Sequence, residues 1–87
     1  MADYSLLIKP SAAKELEAIS EKATLSRLIE KIKSLAAQLR PSGSEKLAGR
    51  SNFYRIRQGN YRVIYSVDDQ SRVVDVINVG HRRDVYR

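Results

Sequence analysis

The chain has 87 residues, 43% of them apolar and 30% charged, which bounds it to a single small globular domain spanning residues 1–87. It contains no cysteine, which excludes a disulfide framework and a thiolate metal site, and its one histidine, His81, cannot assemble a zinc site alone. A net charge of +6 and a pI near 9.9 favour an anionic partner, either nucleic acid or an acidic protein.

The N-terminal stretch carries Asp3 and only a short apolar run, too brief for a signal peptide or a membrane span, so a cytoplasmic protein is expected. Tyr4–Ile8 reads as a first strand that stops at Lys9 and Pro10, because proline has no N–H to give to a ladder. Pro10 suits the first turn of a helix, with Ser11 beside it as a candidate cap and Ala13, Leu16 and Ile19 at helical spacing. From Thr24 onward Leu25, Leu28, Ile29, Ile32, Leu35, Ala36 and Leu39 recur at three- and four-residue intervals, one apolar stripe over about four turns. That stripe faces the core, and Arg27, Glu30, Lys31 and Lys33 form the solvated side. Arg40-Pro41-Ser42-Gly43-Ser44 ends this helix, and a loop runs on to Arg50.

Three runs rich in Tyr, Val and Ile follow: Asn52–Arg57, Tyr61–Val67 and Val73–Val79. Gly59 and the Asp68-Asp69-Gln70 segment separate them, which predicts an antiparallel meander. With Gly59 and Asn60 at the centre of the first turn, Gln58 faces Tyr61 and Arg57 faces Arg62, and alternation puts Arg55 on the arginine side as well. Like charges directly opposite one another destabilise a sheet, and no acid lies between Arg50 and Arg62 to offset them. A wet sheet face is the plain reading, and a face occupied by a polyanion is the sharper one. Tyr61 and Tyr65 alternate away from Arg62 and are expected under the helices; Tyr54 goes with Ile56, and Phe53 lies at the edge of the arginine side.

Arginine usage favours the polyanion. Up to Gly49 six of the eight basic residues are lysines and the net charge is +2, whereas from Arg50 onward there are eight arginines, no lysine and a net charge of +4. The guanidinium fork grips phosphate bidentately and stacks on bases, which a lysine ammonium cannot do. The expected fold is therefore α+β, ordered β-α-α-β-β-β. A small, antiparallel-dominated, four-stranded sheet carries the helical hairpin on one face and the arginines on the other.

The element order, the run KLAGRSNFYRIRQGNYRVIYSV at Lys46–Val67 and the ending GHRRDVYR at Gly80–Arg87 resemble the RelE/ParE superfamily of bacterial toxin–antitoxin toxins, on the RelE side. The resemblance implies a RelE-like fold and a metal-independent endoribonuclease, without cofactor, that cuts mRNA in the ribosomal A site and is silenced by a cognate RelB-like antitoxin. It further implies that the toxin–antitoxin complex binds operator DNA through the antitoxin. The family's functional positions fall on Arg62, on Arg82 or its neighbour Arg83, and on Tyr86, with Arg55, Arg57 and Lys46 as further RNA-binding residues. Family members often have lysines where this chain has Arg55 and Arg57.

The residues suit that chemistry independently. An RNA strand is cleaved when its 2′-hydroxyl attacks the adjacent phosphorus, so an enzyme has to orient the strand, take a proton, stabilise the phosphorane and protonate the leaving oxygen. Clustered guanidiniums stabilise the charge. For proton transfer the chain offers His81, an imidazole, the side chain type that ordinarily titrates at about 6.5, and Tyr86, a phenol, a type that starts at about 10 and whose ionised form neighbouring arginines are expected to favour. His81 as a residue that merely shapes the strand end and Tyr86 as a base-stacking platform are the alternative roles. Two other functions use the same scaffold: a ParE-like inhibitor that acts on DNA gyrase by binding, and an inactive RNA-binding relative.

Overall fold

A computed structural model describes residues 4–41, 44–47, 49 and 52–81. Among these residues seven elements follow in order: β1 (Ser5–Ile8), α1 (Pro10–Glu17), α2 (Lys22–Ser34), β2 (Glu45–Lys46), β3 (Phe53–Gln58), β4 (Tyr61–Asp68) and β5 (Val73–His81). The strands form one mixed sheet in the order β1-β5-β4-β3-β2, with β1 parallel to β5 and every other pair antiparallel. This corrects the four-stranded expectation: the segment read as a loop up to Arg50 contains the short edge strand β2. The long excursion between them, through α1, α2 and strands β2–β4, brings β5 back beside β1 in the parallel sense, which a tight hairpin could not do.

Both helices pack on one face of the sheet. Ala12 and Leu16 of α1 and Leu28 and Ile32 of α2, with Leu35, meet Ile56, Val63, Tyr65, Val67, Val74, Val76 and Val79 in a single core. Each of the Leu, Ile and Val side chains among them contributes roughly 1.5–3 kcal/mol by leaving water. Pro10 opens α1 at its first turn as expected. The inward side of that helix is Ala12, Leu16 and Ile19 rather than Ala13, a shift of one residue that keeps the i, i+4, i+7 spacing.

The α2 stripe is present, but the helix stops at Ser34, short of Leu39. Its last turn tightens, with Leu35 N–H donating to Ile32 O and Ala36 N–H to Lys33 O. Beyond that point the sheet competes for the carbonyls: Tyr4 N–H donates to Ala36 O at 3.2 Å, and the Tyr65 hydroxyl donates to Leu39 O at 2.8 Å. Leu35 and Leu39 reach the core from this unwound segment.

A β-bulge decides which side chains of β5 face the helices. Ile64 pairs with Asn78 but Tyr65 pairs with Val76, so Ile77 is an extra residue. Without it, Val79 would share a face with Val73 and Asp75; with it, Val74, Val76 and Val79 all enter the core. Lys9, the residue before α1, and Glu15 within it support β5 where β1 has ended. Lys9 N–H donates to Val76 O at 2.9 Å, and Glu15 Oε1 accepts from Val79 N–H at 2.8 Å.

Candidate nucleic-acid interface

The β3–β4 hairpin builds the face away from the helices. Gly59 has φ +61°, while Asn60 stays at negative φ, the sign pattern of a type II′ turn with glycine at its first central position. The register is the one expected from the sequence: Gln58 opposite Tyr61, Arg57 opposite Arg62, Ile56 opposite Val63. Because Ile56 and Val63 are buried under the helices, Arg55, Arg57 and Arg62 share the opposite face. Their exposure is graded: Arg57 is exposed, Arg55 is half-buried, and Arg62 is buried with 8% of its surface accessible. On its other side Arg62 is in register with Gly80, a residue without a side chain.

An acid that a reading of the hairpin alone does not find completes this face. Glu45 of β2 is the cross-strand partner of Arg55 and forms a hydrogen-bonded ion pair with its guanidinium. The Arg55 hydrogen bond holds the Glu45 carboxyl below the usual carboxylate range, and the Arg57 and Arg62 charges act in the same direction. Arg55 is therefore offset from outside the Arg50–Arg62 stretch. Nine intervening residues hide the pairing in the sequence.

Two of the expected residues lie elsewhere. Lys46 is in register with Tyr54, on the helix side of β2. Beside it, Arg40 stacks over the Tyr54 ring at 5.0 Å and donates to its hydroxyl at 2.8 Å, while Tyr54 stacks on the buried Tyr65. His81 is in register with Tyr61, and the two rings meet edge to face with centroids 5.6 Å apart. Since Tyr61 packs against the core, His81 faces the helix side, opposite to Arg62. There it borders a cleft of about 420 Å³ whose lining includes Glu21, Thr24, Arg27, Asn60 and Tyr61. Arg82, Arg83 and Tyr86 lie outside the described residues. Among the described residues no group of three or more His, Asp or Glu side chains is arranged to hold a metal ion.

Residues 6–86 match the family described as the ParE toxin of type II toxin-antitoxin systems, parDE. The curated Toxin RelG of Mycobacterium tuberculosis is 41% identical over 34 residues, a match that spans 39% of this chain and 39% of that protein. Among solved structures, the RelE–RelB complex of the archaeon Pyrococcus horikoshii superposes with a TM-score of 0.83 at 30% identity, over 95% of this chain and 99% of that one. The isolated RelE toxin of E. coli superposes at 0.78 with 31% identity, over 95% of this chain and 90% of that one. The chain belongs to the RelE/ParE superfamily of toxins of type II toxin–antitoxin systems.

Proposed function

We propose that this toxin is a metal-independent, ribosome-dependent endoribonuclease that cleaves mRNA in the ribosomal A site and so inhibits translation in the cytoplasm. The observation that carries this reading is the cross-strand Arg57–Arg62 pair, two arginines directly opposite one another in register on the sheet face away from α1 and α2, with Arg55 two residues along. A solvated strand has no need of that repulsion; a phosphodiester relieves it.

In the mechanism, Arg57 and Arg55 draw the RNA backbone onto the face, and Arg62 and Arg82 stabilise the negative charge that grows on the phosphoryl oxygens. The 2′-oxygen loses its proton as it bonds to phosphorus, the P–O5′ bond breaks, and the 5′-oxygen takes up a proton. The products are a 2′,3′-cyclic phosphate and a 5′-hydroxyl. The burial of Arg62 strengthens its field because little water screens it. The placement of His81 on the helix side favours Tyr86 as the proton-transfer group. A RelB-like antitoxin, which in turn binds operator DNA, is the proposed partner; Leu7 and Ile8, exposed on edge strand β1, offer apolar surface for it to cover.

The match to the ParE description favours a second reading, inhibition of DNA gyrase by binding. Pulse induction in a host followed by mapping of RNA 5′ ends separates the two. Cuts confined to translated frames support the nuclease, and intact messages with induced DNA damage support the gyrase inhibitor.

A further inference from the structure

Strand β2 is two residues long, and its register alone determines which of them joins the arginines. Glu45 opposite Arg55 faces Arg57 and Arg62; Lys46, opposite Tyr54, faces the helix side. A slip of one residue would exchange them and bring a fourth cation to the face. The Glu45 side chain is 65% exposed while that of Arg55 is 22% exposed, so the carboxylate is free to swing into water while the guanidinium remains in place.

A carboxylate bound to an arginine fork presents the same pair of anionic oxygens as a phosphodiester. We propose that Glu45 is a resident anion of the arginine face: it occupies Arg55 where an RNA phosphate would, and an RNA strand gains that contact only by displacing it. The inference rests on the RNA-binding reading of this face. Displacement penalises an RNA free in solution, which must supply the exchange from its own affinity. It penalises far less a strand presented at high local concentration by a ribosome on which the toxin is already docked. Glu45 thereby sets selectivity for presented over free RNA.

The test is fluorescence-anisotropy titration of the full chain with a single-stranded 2′-O-methyl RNA of about 12 nucleotides, whose blocked 2′-oxygen prevents cleavage. Glu45→Gln keeps the shape of the side chain and removes the charge. It is expected to tighten binding by about twofold to fivefold at moderate salt, the range that an exposed ion pair spans. The plot of log affinity against log salt should steepen by about 0.7, one further phosphate neutralised. In an Arg55→Ala background the same substitution should give no gain. If Arg57→Ala weakens binding but Glu45→Gln leaves it unchanged or weaker, the resident-anion inference is overturned and the RNA-binding reading stands. A gain from Glu45→Gln that persists without Arg55 overturns it too, because the carboxylate would then act only as diffuse charge. If neither Arg55→Ala nor Arg57→Ala alters affinity, the RNA-binding reading itself fails.

Discussion

The rings of His81 and Tyr61 pack edge to face, while Arg62, the residue after Tyr61 on β4, points to the other side of the sheet. The bulge at Ile77 brings this about: it resets the alternation of β5, so that Val79 and His81 join the helix side and Gly80 comes beside Arg62. The two candidate groups thus lie on neighbouring strands, one register step apart, and on opposite faces of the sheet.

His81 is therefore expected to be dispensable for chemistry at the arginine face. His81→Asn should lower the single-turnover cleavage rate by less than about tenfold, against the 10²- to 10³-fold typical of losing a charge-stabilising donor. A loss for His81→Asn as large as that for Arg62→Ala would return the histidine to the reaction.

The hairpin was legible from the sequence because a two-residue turn fixes register, and the Gly59 position settles both the Arg57–Arg62 pair and the inward tyrosines. The α2 stripe was legible for the same kind of reason, a period long enough to leave one solution. Three things were not. The bulge adds a residue within an unbroken Val/Ile run, where nothing in composition marks it. The partnership of Glu45 with Arg55 is a tertiary pairing made across a loop. The early end of α2 follows from Tyr4 and Tyr65 capturing carbonyls that local helix propensity would have kept.

Opposed like charges predict a trade between stability and function at Arg57. Arg57→Thr removes the repulsion with Arg62 and places a better strand former on an exposed position. Thermal unfolding should rise by about 2–4 °C at low salt, the shift expected from about 0.5 kcal/mol in a domain of this size, and the gain should shrink as salt screens the pair. RNA affinity should fall in the same variant. A lower midpoint at all salt concentrations would mean that Arg57 is a net stabiliser.

Glu15 replaces a missing strand partner for β5. Its carboxylate accepts from Val79 N–H past the end of β1, and Glu15→Ala leaves that amide without its acceptor at a cost of about 1–3 kcal/mol. Glu15→Gln retains a carbonyl oxygen and should recover most of the loss. Hydrogen exchange at the Val79 amide should accelerate in the alanine variant and much less in the glutamine variant; equal protection in all three proteins would remove the cap from the fold's energetics.

Tyr65 gives the fold an alkaline limit. Burial raises its phenol above the ordinary range, with Ser44 and Arg40 pulling more weakly the other way. The folded state therefore holds this proton more tightly than the unfolded chain, where the group titrates near about 10. The resulting stability is fully present below that pH and is lost as pH rises through the higher folded value. Tyr65→Phe should cost about 1 kcal/mol at neutral pH, from the hydroxyl's bond to Leu39 O, yet show a shallower fall in stability above about pH 10. Parallel curves for the two proteins in alkaline denaturation would assign the fall to other groups.

Arg62 provides the most direct test of whether the face catalyses or only binds. A guanidinium whose role is to meet charge present only in the transition state should matter for rate far more than for affinity. Arg62→Ala is expected to lower single-turnover cleavage of ribosome-bound mRNA by about 10²- to 10³-fold, or roughly 3–4 kcal/mol, with a much smaller change in ribosome binding. Arg62→Lys keeps the charge but not the fork and should recover only part of the rate. On the solvated side of α2, Arg27→Ala and Lys31→Ala should instead weaken binding, most at low salt and less as salt rises, and leave the rate of bound complexes intact. Tyr86→Phe preserves a stacking ring, so a large rate loss there identifies the hydroxyl as the proton-transfer group. Should every one of these substitutions change affinity and rate in equal proportion, the arginines would form a docking surface, and binding to gyrase or to RNA without cleavage would become the better account of the toxin.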